Sequence, residues 1–465
     1  MQYHFIGIGG AGMSVVAELL FAAGARVTGS DRSASTYTEH LAKIGILAQI
    51  GHDAKNVPAD AVVVYSSAIK SDNPELQIAK QRGQSIIHRS QALAIASEGK
   101  DFIAVAGAHG KSSTSALIAS ALGDLGLDPS RAIGSTLAGG ISGGYRGTGS
   151  VIVAEADESD GSFLNYRPRI AVVMNVEPDH LDHYGSKEKF AQAFLDFAKC
   201  IVPGGVLICG IDDAGAAQLA QAASALGIRV QTYGIGEKPD YSEKHAQLDF
   251  ADPSANSDDA CSNSAVVRIF AAAGSTEMKL SLQLPGKHML LNGVGALLAG
   301  LELGISAPQM AQGLFAFRGI ERRFEIRGEV AGIKVIDDYA HHPTEISATL
   351  TTAREICPGK VHVLFQPHLY SRTTNFKHEF ARSLALADSV VITRAYAARE
   401  TKADGDDGDV IAELLPGSSF LAEMEEAARM IATKAAAGDY IFTMGAGDVT
   451  ELGSVIMQEL RTREN

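Results

Sequence analysis

A glycine-rich stretch that ends in lysine and serine has the residue types of a phosphate-binding loop. The apolar run 103–106 predicts a buried strand, and a helix is predicted from residue 111. Backbone N–H groups at such a helix start point towards an anion. The lysine of this pattern reaches the outer phosphates of a nucleotide, and the hydroxyl after it binds Mg²⁺. The stretch therefore predicts an ATP site formed by Gly107, Ala108, His109, Gly110, Lys111, Ser112 and Ser113.

This match covers part of the motif. Val105 stands where the full pattern has its first glycine, so only the G-x-x-G-K-S half is present. The alternative is a glycine-rich turn followed by a surface lysine. The flanking strand and helix are the context that the motif requires, and they favour the phosphate-binding interpretation.

A second glycine motif lies close to the start of the chain. A predicted strand at 3–8, a helix at 13–22 and a strand at 26–29 form a βαβ unit with G-x-G-x-x-G spacing. This pattern predicts a pyrophosphate at the helix start and an acidic residue on a sugar or base. NAD fits, a nucleoside diphosphate with another sugar fits equally well, and a glycine turn without ligand remains the alternative. The candidate residues are Gly9, Gly10, Ala11, Gly12, Met13 and Asp31.

Polar residues follow most of the other predicted strands. Ser66, Ser67 and His88 end two strands of the first region, and the acidic run 155–160 follows strand 151–154. Asn175, Glu177, Asp179 and His180 follow strand 170–174. The carboxyl ends of parallel strands meet at one edge of a sheet, and carboxylate oxygens suit Mg²⁺. Glu155 and His180 are therefore candidate metal ligands, with a solvated acidic loop as the alternative.

The last third of the chain repeats the alternation of apolar strands and helices. Strands at 334–336, 361–365, 389–393 and 440–444 each precede polar or glycine-rich residues. This alternation is typical of an open parallel sheet. Arg322, Arg323 and Arg372 are candidate partners for phosphate or carboxylate, because a guanidinium binds either group in a bidentate manner.

Composition limits the classes of function. The chain has 465 residues and a formal net charge of −14, which argues against nucleic acid or an anionic membrane as partner. Four scattered cysteines indicate a reduced, cytoplasmic protein without a cysteine metal site. We find neither a signal peptide nor an apolar run of the ~20 residues that a membrane span needs.

The length and these patterns predict an α/β protein of three domains. We place a Rossmann-like domain at 1–97, a central P-loop ATPase-type parallel-sheet domain at 98–318 and a second Rossmann-like domain at 319–465. Within the central domain, the polar segment 251–264 predicts a surface loop, and a helix is predicted from about 290 to 303.

Taken in order along the chain, the motifs resemble those of the Mur ligases of peptidoglycan synthesis. The resemblance covers the whole chain, and its most specific parts are GIGGAGMS, EADESD and DDYAHHPTE. The other matching segments are SSAI (66–69), GAHGKS (107–112), NVEPDHLD (175–182), PGKH (285–288), RRF (322–324) and FQPHLYSRT (365–373).

The resemblance implies an ATP- and Mg²⁺-dependent ligase. It implies that L-alanine is joined to the carboxylate of UDP-N-acetylmuramate through an acyl phosphate, by a monomer or weak homodimer. A related recycling ligase, which adds a preformed tripeptide to the same acceptor, is the alternative within the family. An NAD-dependent oxidoreductase with an accessory ATPase domain and an ATP-dependent binding switch are the alternatives outside it.

Site roles follow from the same resemblance. The turn at Gly9–Gly12 would hold the UDP pyrophosphate and Asp31 the nucleoside, while Ser112, Glu155 and His180 would bind Mg²⁺. Lys111 and Arg323 would bind ATP phosphates, Asp338 the ribose, and His288 with Asn292 the adenine. The other substrate contacts implied are Ser66, Ser67, Ser162, Tyr339, His341, which is also a candidate base, and Arg372, which would bind the alanine carboxylate.

Three residues depart from the family pattern. Ala108 and Ser112 stand where threonine is usual, and Met289 stands where asparagine is frequent beside the adenine. Serine keeps the hydroxyl that a metal needs, so the second change leaves the predicted ligand in place.

Overall fold

The computed structural model describes residues 1–235, 245–250, 263–271, 274–398 and 400–464. It divides into two compact units, one of Met1–Gln283 with Met289–Arg318 and one of Leu284–His288 with Gly319–Asn465. Three sheets with helices around them confirm the predicted α/β class. Within the described part of the chain, no helix has both the length and the apolar character needed to cross a bilayer.

The first sheet has five strands, all parallel, in the order β3-β2-β1-β4-β5. Helices pack on both faces of this sheet, and Phe5, Ile6 and Val64 are completely buried between the layers. The elements are β1 (Gln2–Ile6), α1 (Ala11–Ala22), β2 (Arg26–Asp31), α2 (Thr36–Lys43), β3 (Ala48–Ile50), β4 (Val62–Tyr65), α3 (Pro74–Gln81), β5 (Ile86–His88) and α4 (Arg89–Ala96).

The second sheet begins with β6 (Asp101–Ala106), α5 (Lys111–Asp124), β7 (Ser130–Ala132), β8 (Gly144–Tyr145), β9 (Val151–Glu155) and β10 (Ile170–Val173). It continues through α6 (Leu181–Tyr184), α7 (Lys187–Lys199), β11 (Val206–Gly210), α8 (Ala214–Ala225), β12 (Val230–Ile235), β13 (Ala246–Asp249), β14 (Asn263–Ala271), β15 (Gly274–Leu282), α9 (Lys287–Glu302) and α10 (Ala307–Phe315). Among the described strands the order is β15-β14-β13-β12-β11-β10-β6-β9-β7-β8.

The middle of this sheet is parallel, as predicted, and its edges are not. β14 and β15 run antiparallel at one edge, and β8 pairs antiparallel with β7 at the other. β6 lies between β9 and β10, with Val105 opposite Glu155 and Ala106 opposite Val173. This register places the loop after β6 beside the polar residues that follow both neighbours.

The third sheet has the order β16-β17-β21-β18-β19-β20 and is parallel except for β16. Separate apolar clusters cover its two faces. The elements are β16 (Glu325–Val330), β17 (Ile333–Asp338), α11 (Pro343–Ile356), β18 (Val361–Phe365), α12 (Tyr370–Leu384), β19 (Ser389–Ile392), α13 (Asp409–Leu414), β20 (Ser419–Phe420), α14 (Met424–Lys434), β21 (Tyr440–Met444) and α15 (Leu452–Glu464).

Two local predictions need correction. The helix predicted from about residue 290 begins at Lys287, because Gly286 with a φ of +105° is where the chain turns into it. The loop predicted at 251–264 is wrong for residues 263 and 264, which belong to β14 and pair with β15. Its remaining residues, 251–262, lie outside the described part of the chain.

Candidate functional site

The loop between β6 and α5 has the geometry of an anion site. Gly107 has a φ of +138°, and Gly110, with a φ of +83°, is the N-cap of α5. A side chain at Gly107 would meet the backbone of Asn175 at 3.1 Å, and one at Gly110 would meet the amide oxygen of Asn292 at 3.1 Å. Because the first N–H groups of a helix lack intrahelical partners, this turn presents donors to a bound anion.

Asn175 holds this loop at His109. Its Oδ1 accepts from the His109 N–H at 3.0 Å, and its Nδ2 donates to the His109 carbonyl at 3.1 Å. The asparagine lies just after β10, so the parallel pairing of β10 with β6 brings it to the loop. Sequence reasoning noted Asn175 as polar without giving it this role.

Lys111 points back over its own loop towards the acidic segment. Its Nζ donates to the carbonyls of Gly107 at 2.6 Å and Ala108 at 3.2 Å, and to Glu158 Oε1 at 2.9 Å. Burial alone would lower the pKa of Lys111, but Glu158 and Asp157 more than reverse this and raise it. The lysine is therefore held as a cation inside the site.

The acidic residues of 155–160 have different partners. Glu155 ends β9 and accepts from the Gly134 N–H at 2.9 Å, and burial raises its pKa against a hydrogen bond from Ser112. Burial also raises the pKa of Glu158, which is 1% exposed. Asp157 accepts from Arg89 at 2.5 Å. His180, with a φ of +51°, places Nε2 3.8 Å from Glu158 Oε1.

The first glycine turn lies in the same compact unit. Gly10 is the N-cap of α1, and the Gly9 N–H donates to Asp31 Oδ2 at 2.8 Å. Asp31 thus supports the turn itself in addition to any role towards a nucleoside. A side chain at Gly12 would come within 2.9 Å of Arg89 Nη1. Ala11 and Met13 follow inside α1, and Met13 is buried.

Arg89 connects the first glycine turn to the acidic segment 155–160 through its ion pair with Asp157. Arg89 begins α4, directly after β5. The end of this strand was predicted to contribute ligand residues, but only His88 was named there.

Asp160 holds two of the predicted serines. Its Oδ2 accepts from Ser67 at 2.7 Å, and its Oδ1 accepts from the Ser162 N–H at 3.0 Å. The Ser162 hydroxyl is buried and has no hydrogen-bond partner among the described residues. Ser66 lies beside Ser67 in the turn after β4, and its backbone carbonyl accepts a hydrogen bond from the Ile69 N–H.

Asn292 also lies in the first unit. It is buried in α9, donates weakly to the Met289 sulfur at 3.8 Å and packs against Gly110. His288, in contrast, belongs to the second unit, where burial and then Arg323 lower its pKa to about 4. The shared role of these two residues beside the adenine stays a prediction.

The second unit gathers its own predicted residues at the ends of β17 and β18. Asp338 accepts from the N–H groups of Phe324 at 2.9 Å and Ala340 at 2.8 Å, and burial raises its pKa to about 6. The Arg323 guanidinium lies 5.1 Å from the centre of the Tyr339 ring and donates to Glu345 at 3.4 Å.

His341 and Arg372 complete this group. Glu345 accepts from the His341 N–H at 3.1 Å, and burial lowers the pKa of the His341 ring to about 3. A ring with so low a pKa is neutral near pH 7, so it acts as a hydrogen-bond acceptor or donor and is a weak base. Arg372 is buried, with Nη1 3.4 Å from His368 Nδ1. Sequence reasoning missed Glu345 as the shared partner of Arg323 and His341, although it lies within the quoted DDYAHHPTE segment.

Comparison with known families agrees with this geometry. Residues 2–101 match the Mur ligase family catalytic domain, 105–300 the Mur ligase middle domain, and 322–447 the Mur ligase glutamate ligase domain. The chain belongs to the Mur ligase family, a family of ligases.

Individual relatives point to one member of that family. The chain is 45% identical to a UDP-N-acetylmuramate–L-alanine ligase from Renibacterium salmoninarum, over 99% of this chain and 96% of that one. It is 42% identical to the enzyme of the same name from Mycobacterium tuberculosis, over 100% and 96%. A solved UDP-N-acetylmuramate-alanine ligase from Thermotoga maritima is 28% identical, covers 100% of both chains and superposes with a TM-score of 0.79.

Proposed function

We propose that this protein joins L-alanine to the lactyl carboxylate of UDP-N-acetylmuramate with the conversion of ATP to ADP and phosphate. The observation that supports it most directly is Lys111 on a glycine loop, 2.9 Å from Glu158 and in one compact unit with the turn at Gly9–Gly12. The full-length relatives at 42–45% identity favour alanine over a preformed tripeptide as the added group.

We propose the three domains 1–97, 98–318 and 319–465 for UDP-sugar binding, for ATP binding and for amino-acid binding, respectively. The helix start after Gly9–Gly12 would bind the UDP pyrophosphate, with Asp31 near the nucleoside and Ser66, Ser67 and Ser162 near the sugar. The buried Ser162 hydroxyl supports this role, because buried polar atoms are normally hydrogen-bonded.

Mg²⁺ is the expected metal, and the residues fit it. Ser112, Glu155 and His180 offer oxygen and nitrogen donors, and Glu158 Oε2 is a buried carboxylate oxygen without a partner among the described residues. When bound, Mg²⁺ neutralises charge on the triphosphate. Lys111 and Arg323 would stabilise the remaining charge, which is how phosphoryl transfer is mostly catalysed.

In the second unit we propose that Arg372 binds the alanine carboxylate, with His341 and Tyr339 beside the amine. His341, neutral near pH 7, would accept a hydrogen bond from the amine. The lactyl carboxylate first takes the γ-phosphoryl group of ATP and releases ADP, which gives the acyl phosphate. The neutral amine then attacks the acyl carbon, inorganic phosphate leaves, and the nitrogen loses its proton to solvent as the amide forms. Asp338 would hold the ATP ribose, and His288 and Asn292 the adenine.

The test is mass spectrometry of the product with ATP, Mg²⁺, UDP-N-acetylmuramate and one amino acid at a time. We expect the alanyl product and one phosphate released per product formed. Preference for a preformed tripeptide would support the recycling activity, and a change in nicotinamide absorbance would support an oxidoreductase. ATP hydrolysis without a joined product would support a binding switch.

A further inference from the structure

The ammonium group of Lys111 is fully engaged within the protein. An ammonium has three N–H donors. In this structure the three acceptors are the Gly107 carbonyl, the Ala108 carbonyl and Glu158 Oε1. A phosphate that binds Lys111 must therefore replace at least one of these partners.

Glu158 is the partner whose loss has the largest consequence. Its side chain is 1% exposed, and its Oε2 has no hydrogen-bond partner among the described residues. The other nearby basic group in the described chain is His180, whose Nε2 lies 3.8 Å from Oε1. If Lys111 moves to a phosphate, a buried carboxylate loses its closest cation, and such a state is strongly unfavourable.

The neighbouring acids are held differently, which singles out Glu158. Asp157 pairs with Arg89 and also accepts from the Ser159 N–H at 3.0 Å. Glu155 accepts from the Gly134 N–H. Movement of Lys111 leaves both of these contacts intact.

We propose that Glu158 holds Lys111 back from the nucleotide, and that a divalent cation must compensate the Glu158 charge before Lys111 can bind the triphosphate. This inference rests on the proposed ATP site. If the proposal holds, nucleotide binding requires a metal for two reasons, the charge of ATP and the charge of Glu158. Metal-free ATP binds weakly because Lys111 remains paired with Glu158.

The experiment measures dissociation constants for ATP by calorimetry, in EDTA and in excess Mg²⁺, with the full-length protein. We expect Glu158→Gln to tighten the binding of metal-free ATP by about tenfold or more and to narrow the difference between the two conditions. Asp160→Asn is the matched control, since it removes a neighbouring negative charge whose hydrogen bonds come from Ser67 and the Ser162 N–H and not from Lys111. We expect it to leave metal-free binding within about twofold of the wild type.

A double-mutant comparison separates release of Lys111 from simple loss of charge. In a Lys111→Met background, we expect Glu158→Gln to lose most of its effect on metal-free ATP. If Glu158→Gln is unfolded by circular dichroism, Glu158→Met replaces it with the same expected result, because an apolar side chain suits this buried position.

Three results would overturn the proposal. One is unchanged metal-free affinity in Glu158→Gln, a second is equal tightening in Asp160→Asn, and a third is full retention of the Glu158→Gln effect without Lys111. Absence of ATP binding in the wild type under both conditions would instead reject the ATP site itself, and with it the proposed function.

Discussion

The carboxyl ends of the second and third sheets both present polar side chains after a glycine turn, but the charges of those side chains differ. In each, the first residue after a central strand is a glycine with nearly the same backbone, Gly107 at φ +138° and Gly445 at φ +143°. The second sheet then presents Lys111 in an ion pair with the buried Glu158, and Arg89 in an ion pair with the half-buried Asp157. The third presents Arg323 on Glu345 and histidines whose pKa values burial lowers.

This difference indicates two ways of binding a polar ligand. Around Lys111 the site is charged before any ligand arrives, so binding exchanges one ionic partner for another. Around His341 the site holds neutral rings beside an arginine, so a ligand can add hydrogen bonds without displacing a buried charge. Four predictions test this contrast, from the largest expected effect to the smallest.

The first prediction concerns Lys111. We expect Lys111→Met to reduce product formation by about 10³-fold or more, as for the loss of a group that stabilises transition-state charge. It should also reduce the free energy of unfolding by about 3 kcal/mol, because Glu158 is left buried and unpaired. Adding Glu158→Gln should restore stability to denaturant without restoring product. Equal stability of the single and double variants would show that the pair is not important for folding.

The second prediction compares the two glycines. A methyl group at Gly445 would lie 2.5 Å from the Gln366 carbonyl oxygen, whereas one at Gly107 would lie 3.1 Å from the nearest atom of Asn175. We expect Gly445→Ala to cost about 3 kcal/mol of stability and Gly107→Ala about 1–2 kcal/mol, from positive φ and crowding. Urea unfolding measures both. The reverse order would mean that the loop after β6 is the more rigid of the two.

The third prediction concerns pH. His341 has a folded-state pKa of about 3, below its ordinary value, so the unfolded chain binds more protons between these two values. Stability is therefore fully present above about pH 6.5 and is lost as the pH falls, by up to about 1.4 kcal/mol per pH unit. At about pH 4.5 the contribution lost should be roughly 3 kcal/mol, since two pH units below the ordinary pKa each cost about 1.4 kcal/mol.

Urea unfolding of the wild type and of His341→Gln, at about pH 6.5 and about pH 4.5, measures this loss of stability. We expect the variant to lose less stability than the wild type on acidification. The exposed His378→Gln is the control, and it should behave as the wild type does. The same pH dependence in His341→Gln and the wild type would show that His341 is not the group responsible.

The fourth prediction concerns the residue shared by Arg323 and His341. We expect Glu345→Gln to lower kcat/KM for ATP and for alanine by roughly tenfold each, since both contacts weaken while their geometry is retained. The KM for UDP-N-acetylmuramate should remain within about twofold, because Glu345 and the turn at Gly9–Gly12 belong to different compact units. A rise in that KM alone would reject a positioning role for Glu345.

Much of the fold was predictable from local pattern. The strands Val361–Phe365 and Tyr440–Met444 have the predicted bounds. These bounds were predictable because a short apolar run that ends at a polar residue or a glycine is typical of a buried strand. β14, at the antiparallel edge of the second sheet, was not predicted, since its half-exposed residues resemble loop sequence.

The sequence by itself determined the candidate residues for chemistry and the edge of each sheet where they lie, since parallel strands bring their carboxyl ends together. The tertiary structure decided the partners. Lys111 meets Glu158, which is 47 positions away, and Arg89 meets Asp157 across 68. Strand order and register set these pairings, and both depend on packing over the whole domain, so no local pattern around Lys111 or Arg89 contains them.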